Sequence, residues 1–247
     1  MKQIELLAQI RDSLVEGLSP GRIVERVGGF VYLRHASDSM KWLNQTIPVG
    51  PVTEANLDSL LVRYRETDRV PFFEFFPDLA PNLPTMLEAH GLTKFNEMPI
   101  MTLRRSDWSK KPYEEQAHSA TFDDLKPGFE ALSEAFGGPL PGGTEELWRA
   151  METGRILAAV GYCGDEIVAM GQAVGTREIR ELAGIGTRAA WRRQGFAAAV
   201  IESLLDQHFS SGGVLAWLTP GDDGAESVYS GCGFKSVGKQ VCYGVPD

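Results

Sequence analysis

One window constrains the fold of this chain more than any other: Glu181-Leu-Ala-Gly-Ile-Gly-Thr-Arg-Ala-Ala-Trp-Arg-Arg-Gln-Gly-Phe-Ala-Ala-Ala-Val-Ile-Glu-Ser-Leu-Leu205. Its apolar period switches from strand to helix across a short glycine loop, with Ala197, Val200, Ile201, Leu204 and Leu205 on one helical face. The helix therefore starts at about Gly195, and residues 192–195 supply an uncapped N-terminal turn whose backbone N–H groups have no intrahelical acceptor. Such a terminus carries a partial positive charge, and glycine at 195 leaves room for a ligand to approach the backbone. The pattern predicts an anion site, most simply a phosphate, with Arg192 and Arg193 adding charge at its mouth.

The remaining composition narrows the function classes. At 247 residues, 43% hydrophobic and 23% charged, the chain is globular and has room for two domains. The longest apolar run, residues 196–201, is far short of the roughly 20 residues that cross a bilayer, and no secretory pattern opens the chain. Three cysteines (Cys163, Cys232, Cys242) and four scattered histidines offer no metal-ligand spacing. A reduced, cytoplasmic, metal-free protein without a membrane partner is expected. A formal charge of −9 opposes binding to nucleic acid. Residues 1–105 hold 12 basic and 13 acidic side chains, residues 106–247 hold 12 and 20, so a cation-seeking site belongs to the second half.

Along the chain, helical spacing of Ile4, Leu7, Arg11, Leu14, Val15 and Leu18 predicts an opening helix. Strands follow around residues 30–33 and 41–47, then a helix capped by Thr53 with Leu57, Leu60, Leu61 and Tyr64 on one stripe. An aromatic strand over residues 71–76, a short helix ending at His90-Gly91 and a strand near residues 97–103 close the half. Residues 104–116 are polar and aperiodic and read as a linker. Beyond it come a strand near 117–121, a helix from Asp123, a Gly/Pro turn over 137–143, and a helix capped by Thr144. A hairpin follows, with Gly164-Asp165 at its tip, and then a strand over 178–187. Sliding the chain by 142 residues aligns residues 72–76 with 214–218, Leu87 with Tyr229, and Gly91-Leu92 with Gly233-Phe234. The shared order of strand, helix, glycine and strand is either an internal duplication or a coincidence of pattern.

The sequence Arg192-Arg193-Gln194-Gly195-Phe196-Ala197 resembles the pyrophosphate-binding motif Arg/Gln-x-x-Gly-x-Gly/Ala of the GNAT superfamily of acyl-CoA N-acyltransferases. Ala225-Glu-Ser-Val-Tyr229-Ser-Gly-Cys-Gly-Phe234 resembles that family's Ala-x-x-Leu-Tyr-x-x-x-Gly-Phe helix, at the family's spacing. The family's upstream proline is Ala189 here. The resemblance covers about residues 117–247 and implies an α/β fold on a mixed sheet in a tandem of two GNAT-like units. These are a degenerate N-terminal domain (1–106), a linker (107–116) and a catalytic domain (117–247). By the 142-residue offset Arg192, Gly195 and Ala197 fall on Gly50, Thr53 and Ala55, so the first unit has no phosphate loop of its own.

The resemblance implies an acetyltransferase that moves an acetyl group from acetyl-CoA to a primary amine of a small molecule or peptide by direct attack. The alternative is a non-catalytic acyl-CoA-binding regulatory module. Backbone groups of Ile185, Gly186 and Thr187 would pair with the pantetheine arm, and Arg192, Arg193, Gln194, Gly195, Phe196 and Ala197 would hold the pyrophosphate. Tyr229 would protonate the departing thiolate, or else fills a helix face in the core. Asp222 stands where many members have asparagine and is read as a helix cap. Glu181 is the leading general base, Glu178 competes with it, and an edge glutamate with no catalytic role is the other reading; proximity alone can also drive the reaction. Glu130, Glu134, Glu145, Glu146 and Glu152 border the family's acceptor cleft and would draw a cationic amine, or form a solvated face. A homodimer is compatible with the resemblance.

Overall fold

The computed structural model describes residues 3–138 and 143–246, and among these the chain forms seven α-helices and eleven strands. In chain order they are α1 (Gln3–Leu18), β1 (Ile23–Val27), β2 (Phe30–Arg34), β3 (Asn44–Pro48), α2 (Glu54–Glu66), β4 (Phe72–Phe75), α3 (Leu83–Ala89), β5 (Thr93–Arg104), β6 (Ala117–Ser119), α4 (Phe122–Phe136), α5 (Thr144–Glu152), β7 (Ile156–Cys163), β8 (Glu166–Gly175), β9 (Ile179–Thr187), α6 (Phe196–Ser210), β10 (Leu215–Leu218), α7 (Asp223–Gly231) and β11 (Lys235–Gly244). The predicted turn over 137–143 lies partly outside the described residues.

The chain divides into two compact units, one of residues up to Ile100 plus those from Ser236 onward, the other Met101–Lys235. This differs from a division by chain order at 1–106, 107–116 and 117–247, and the reason is strand pairing. In the first unit the order is β1-β2-β3-β4-β11-β5, and Val241 to Gly244 of β11 pair antiparallel with Phe75 to Phe72 of β4. In the second it is β5-β10-β9-β8-β7-β6, and Met101 to Arg104 of β5 pair antiparallel with Leu218 to Leu215 of β10. Each half of the chain thus gives the end of its last strand to the other half's unit. Periodicity locates a strand but does not name its neighbour.

The 142-residue offset survives in the hydrogen bonds that end α3 and α7. Leu92 N donates to Leu87 O at 3.0 Å and Phe234 N to Tyr229 O at 3.1 Å. His90 N and Cys232 N each close on two carbonyls at the same offsets, Met86 and Leu87 in one case, Val228 and Tyr229 in the other. Gly91 and Gly233 both take positive φ, +77° and +99°, the left-handed exit that glycine tolerates. Leu87 and Tyr229 are both buried. This common closure is what a duplication would leave, and it is also a frequent helix ending.

In the first unit Phe30, Tyr32, Leu57, Leu60, Tyr64, Phe73, Leu87 and Tyr243 form the core. Thr53 caps α2 through its hydroxyl, which accepts from Asn56 N, as expected. On α1 the buried stripe is Leu6, Leu7, Ile10 and Leu14, while Ile4 is exposed. The β1–β2 hairpin, turned by Gly28-Gly29 with Gly28 at φ +55°, was not anticipated, although two glycines between apolar runs are a hairpin signal. In the second unit alternate residues of the sheet face opposite layers. Ala159, Ala169 and Leu182 pack with Val200, Ile201, Leu204 and Leu205 of α6. Val160 and Met170 pack with Leu125 and Leu132 of α4 and Leu147 of α5. Helix α4 starts at Phe122, one residue before Asp123, with a capping box between Thr121 and Asp124. Helix α5 is preceded by Gly143, so Thr144 is its first residue and not its cap.

The expected linker is an ordered strap on α6. Trp108 packs on Phe209 at 5.3 Å between ring centroids and donates from Nε1 to the buried Glu202 at 3.2 Å. Lys110 Nζ and Tyr113 Oη both reach Asp206 Oδ2, at 2.8 and 2.7 Å. Polarity and proline hid this role, because the apolar contacts come from two aromatic side chains without helical or strand spacing.

Candidate active site

Strand β9 carries the first feature. On one side it pairs with β8, but the register shifts so that Met170 opposes Gly186 while Gln172 opposes Ala183. The extra residue is accommodated at Gly184, φ +57°, a β-bulge. The bulge inverts the side-chain phase beyond it. Leu182 packs against α6, and so does Ile185, whose side chain meets the α6-facing position of Gly171. Gly186 faces α4, where a β-carbon would come within 2.9 Å of Ala135 and Leu132. Glu181 therefore shares a face with Ala183 and Gly186, and not with Ile185 and Thr187 as an unbroken strand would have it.

On its other side β9 runs parallel to β10, and this pairing ends at Glu181 opposite Trp217. Six residues of β9 continue beyond that point, about 20 Å of strand edge without a β10 partner. Arg188 N donates to Val168 O of β8 at 2.9 Å, so ladder alternation turns the main chain of Thr187 toward the open edge.

At the end of this edge stands the loop of residues 192–195. Gly195 sits at φ +93°, and Arg193 also takes positive φ, +61°. No side chain caps α6, and Gly195 O already receives Ala199 N, which leaves the N–H groups of Phe196, Ala197 and Ala198 without intrahelical acceptors. A β-carbon on Gly195 would come within 3.3 Å of Gln116 Oε1. Gln194 donates from its side chain to Ala190 O at 3.3 Å. Both arginines are exposed, but Arg192 donates to Thr187 O at 3.2 Å and to Ala135 O at 3.1 Å, while Arg193 meets no polar partner among the described residues.

The equivalent place in the first unit is closed. Val49 N and Gly50 N both donate to Gly29 O, at 2.8 and 3.1 Å, and Thr53 caps the helix that follows. Between the ends of β3 and β4 lies a cavity of about 10 Å³, room for one water, lined by Leu14, Ile47, Pro48, Glu74, Phe75 and Phe76 among others.

Tyr229 lies on α7, 9% exposed, edge-on to Phe234 at 6.2 Å. Its hydroxyl meets no hydrogen-bond partner among the described residues, and burial, with Cys232 and Asp222 adding to it, pushes its pKa up to about 12. The phenol is protonated at neutral pH. Asp222 caps α7 as expected, accepting from Ala225 N at 2.7 Å. Glu181 is half-buried on β9. Glu178 lies outside β9 at its far end, about 23 Å along the chain from Ile185, and its carbonyl receives Val214 N and Leu215 N. Of the helix glutamates, Glu134 is committed to Arg188 (2.8 Å) and Ala189 N (3.2 Å), and Glu145 faces Arg149 at 3.5 Å. His118 bonds Asp124 and His208 bonds Leu215 O, both away from the loop residues. Among the described residues no group of side chains has metal-ligand geometry, and no helix is long and apolar enough to cross a membrane.

Known proteins bear directly on this arrangement. The family model described as the acetyltransferase (GNAT) family matches residues 106–234, more than half of the chain and nearly all of the second unit. A GCN5-related N-acetyltransferase from Kribbella flavida has a TM-score of 0.80 at 23% identity, covering 98% of this chain and 96% of that one. Another from Sphaerobacter thermophilus gives 0.59 at 20% identity over 87% and 79%. A tandem GNAT protein from the clavulanic acid biosynthesis pathway gives 0.61 at 11% identity over 99% and 92%. At these identities the solved structures share the fold. No curated protein matches the sequence. With a family model covering the unit that holds the open strand edge, the glycine loop and Tyr229, the chain belongs to the GNAT acetyltransferase family.

Proposed function

We propose that the second unit transfers an acetyl group from acetyl-CoA to a primary amine of a small molecule or peptide. The observation that carries this reading is the meeting, in one unit, of an unpaired strand edge and an uncapped helix N-terminus behind Gly195. The first is suited to an extended amide-bearing arm, the second to a pyrophosphate. Ile185, Gly186 and Thr187 offer the edge, and residues 192–197 the anion cradle. Acetyl-CoA supplies the activated acyl group; the chain's own residues bind, orient and move protons around it. Backbone N–H groups near Thr187 are placed to stabilise developing negative charge on a carbonyl oxygen. Tyr229, protonated and unpartnered, is the donor for the leaving thiolate. Glu181, on the α4 side of β9, is about 13 Å along the strand from Ile185 and takes the amine's proton through water. The acidic balance of residues 106–247 favours a cationic acceptor. Net charge disfavours nucleic acid, a cytoplasmic location fits the free cysteines, and a homodimer is compatible with this chemistry.

The test is thiol release from acetyl-CoA by the purified protein with polyamines, aminoglycosides, amino acids and peptides as acceptors. Acceptor-dependent release that drops in Tyr229→Phe supports the transferase reading. Binding of acetyl-CoA without release under any acceptor favours the regulatory alternative, and absence of binding refutes both.

A further inference from the structure

Arg192 opens the family's phosphate motif, yet two nitrogens of its guanidinium are already engaged by protein carbonyls. Nε donates to Thr187 O at 3.2 Å and Nη2 to Ala135 O at 3.1 Å. Ala135 lies in the last turn of α4, where carbonyls lack intrahelical donors and the helix dipole favours a cation. Two further contacts pin the same turn. Glu134 accepts from Arg188 Nη1 at 2.8 Å and from Ala189 N at 3.2 Å, so both its oxygens hold the stretch that leads into the loop. Gly186 lets the turn lie flat on β9, since a β-carbon there would stand 2.9 Å from Ala135 and Leu132. Arg193, at φ +61°, has no polar partner among the described residues.

We propose that Arg192 is a positioning residue, not a phosphate ligand. With Arg188 and Glu134 it clamps the last turn of α4 to the end of β9, and this clamp holds the cosubstrate loop in its binding shape. Arg193 is the side-chain cation left to meet the phosphates. The inference rests on the reading of residues 192–197 as a CoA loop and assigns its two arginines different work.

The two roles predict opposite signs at Glu134. If only charge mattered, removing a carboxylate near an anion site would tighten CoA binding; if the clamp matters, it weakens binding. Free coenzyme A is titrated calorimetrically into the full chain and its variants, at salt concentrations of about 50 and 200 mM. Arg192→Lys keeps the charge but loses the planar fork, so it is expected to weaken binding about five- to tenfold with the salt dependence of the parent. Glu134→Gln is expected to weaken it about threefold, and Arg193→Ala to weaken it and flatten the salt dependence. Parent-like affinity in Arg192→Lys, or tighter binding in Glu134→Gln, overturns the clamp. Glu134→Asp, which keeps the charge on a shorter stem, repeats the test should the glutamine variant fold poorly, and parent-like affinity there again overturns it. If the parent binds no CoA, the loop reading itself falls and the clamp with it; if the parent binds and only the variant pattern differs, the loop reading stands alone.

Discussion

Replacing Gly195 by alanine separates backbone strain from loss of an anion site, because the chain contains its own control. Gly195 has φ +93° at the start of α6, and Gly212 has φ +98° just past its end. Fifteen helical residues lie between, about 22 Å. An alanine in the left-handed region costs about 1–2 kcal/mol at either position. Neither new β-carbon meets backbone: the nearest atoms are Gln116 Oε1 at 3.3 Å and Arg177 Nη2 at 3.6 Å, both ends of flexible side chains. The two variants should therefore lose similar stability in urea unfolding. They should differ in binding. Relief of strain at 195 turns the first N–H groups of α6 away from their common focus, and losing one hydrogen bond to a charged oxygen costs about 1.5–3 kcal/mol, roughly 10- to 100-fold in affinity. Calorimetric titration with acetyl-CoA should thus show a loss of at least tenfold for Gly195→Ala and parent affinity for Gly212→Ala. Equal affinities in the two variants, at equal stability, would show that the turn at 195 is not an anion cradle.

Two other perturbations follow from buried groups. His208 is fully buried, and burial, opposed by its bond to Leu215 O, lowers its pKa from 6.5 to about 4. The unfolded chain takes up this proton below pH 6.5 and the folded one does not, so stability falls by about 3 kcal/mol as pH drops from 6.5 to 4. Urea unfolding of the parent and His208→Gln across that window checks it, and an unchanged slope in the variant contradicts it. Tyr229→Phe removes a hydroxyl that bonds nothing among the described residues, so stability should hold within about 0.5 kcal/mol while turnover with the best amine falls about 100-fold or more. Because the pKa of Tyr229 stands at about 12, the parent rate should not decline from its ionisation at any pH below about 10.

The sequence made the site more legible than the tertiary plan. A glycine before an apolar helix and a tyrosine three residues before Cys232 are local signals, and the structure keeps both in the predicted elements. Helix and hairpin positions in the second unit were equally local, down to Gly164 at the hairpin tip. The bulge at Gly184 was not, because one inserted residue changes the phase of a strand without disturbing its apolar composition. The exchange of β5 and β11 was hidden for a related reason: periodicity shows the apolar end of β5 near residues 97–103, but only pairing reveals whose unit the end of each strand completes. The strap over α6 went unread because its anchors, Trp108 and Tyr113, hold through single rings and acidic side chains of α6 rather than through a periodic face. The occupation of Arg192 by two carbonyls could not be foreseen from a motif that specifies residue types alone.

On the proposed function, the second unit, and not the first, takes up the cosubstrate along β9 and before α6. Amide hydrogen exchange on the full chain, with and without saturating acetyl-CoA, tests it at residue level. Exchange should slow at Ile185 and Thr187 and from Gly195 to Ala198, with no change at Val49, Gly50 and Asn56, whose N–H groups are already bonded within the protein. Slowed exchange at residues 49–56 instead, or no slowing between 185 and 198, would contradict it.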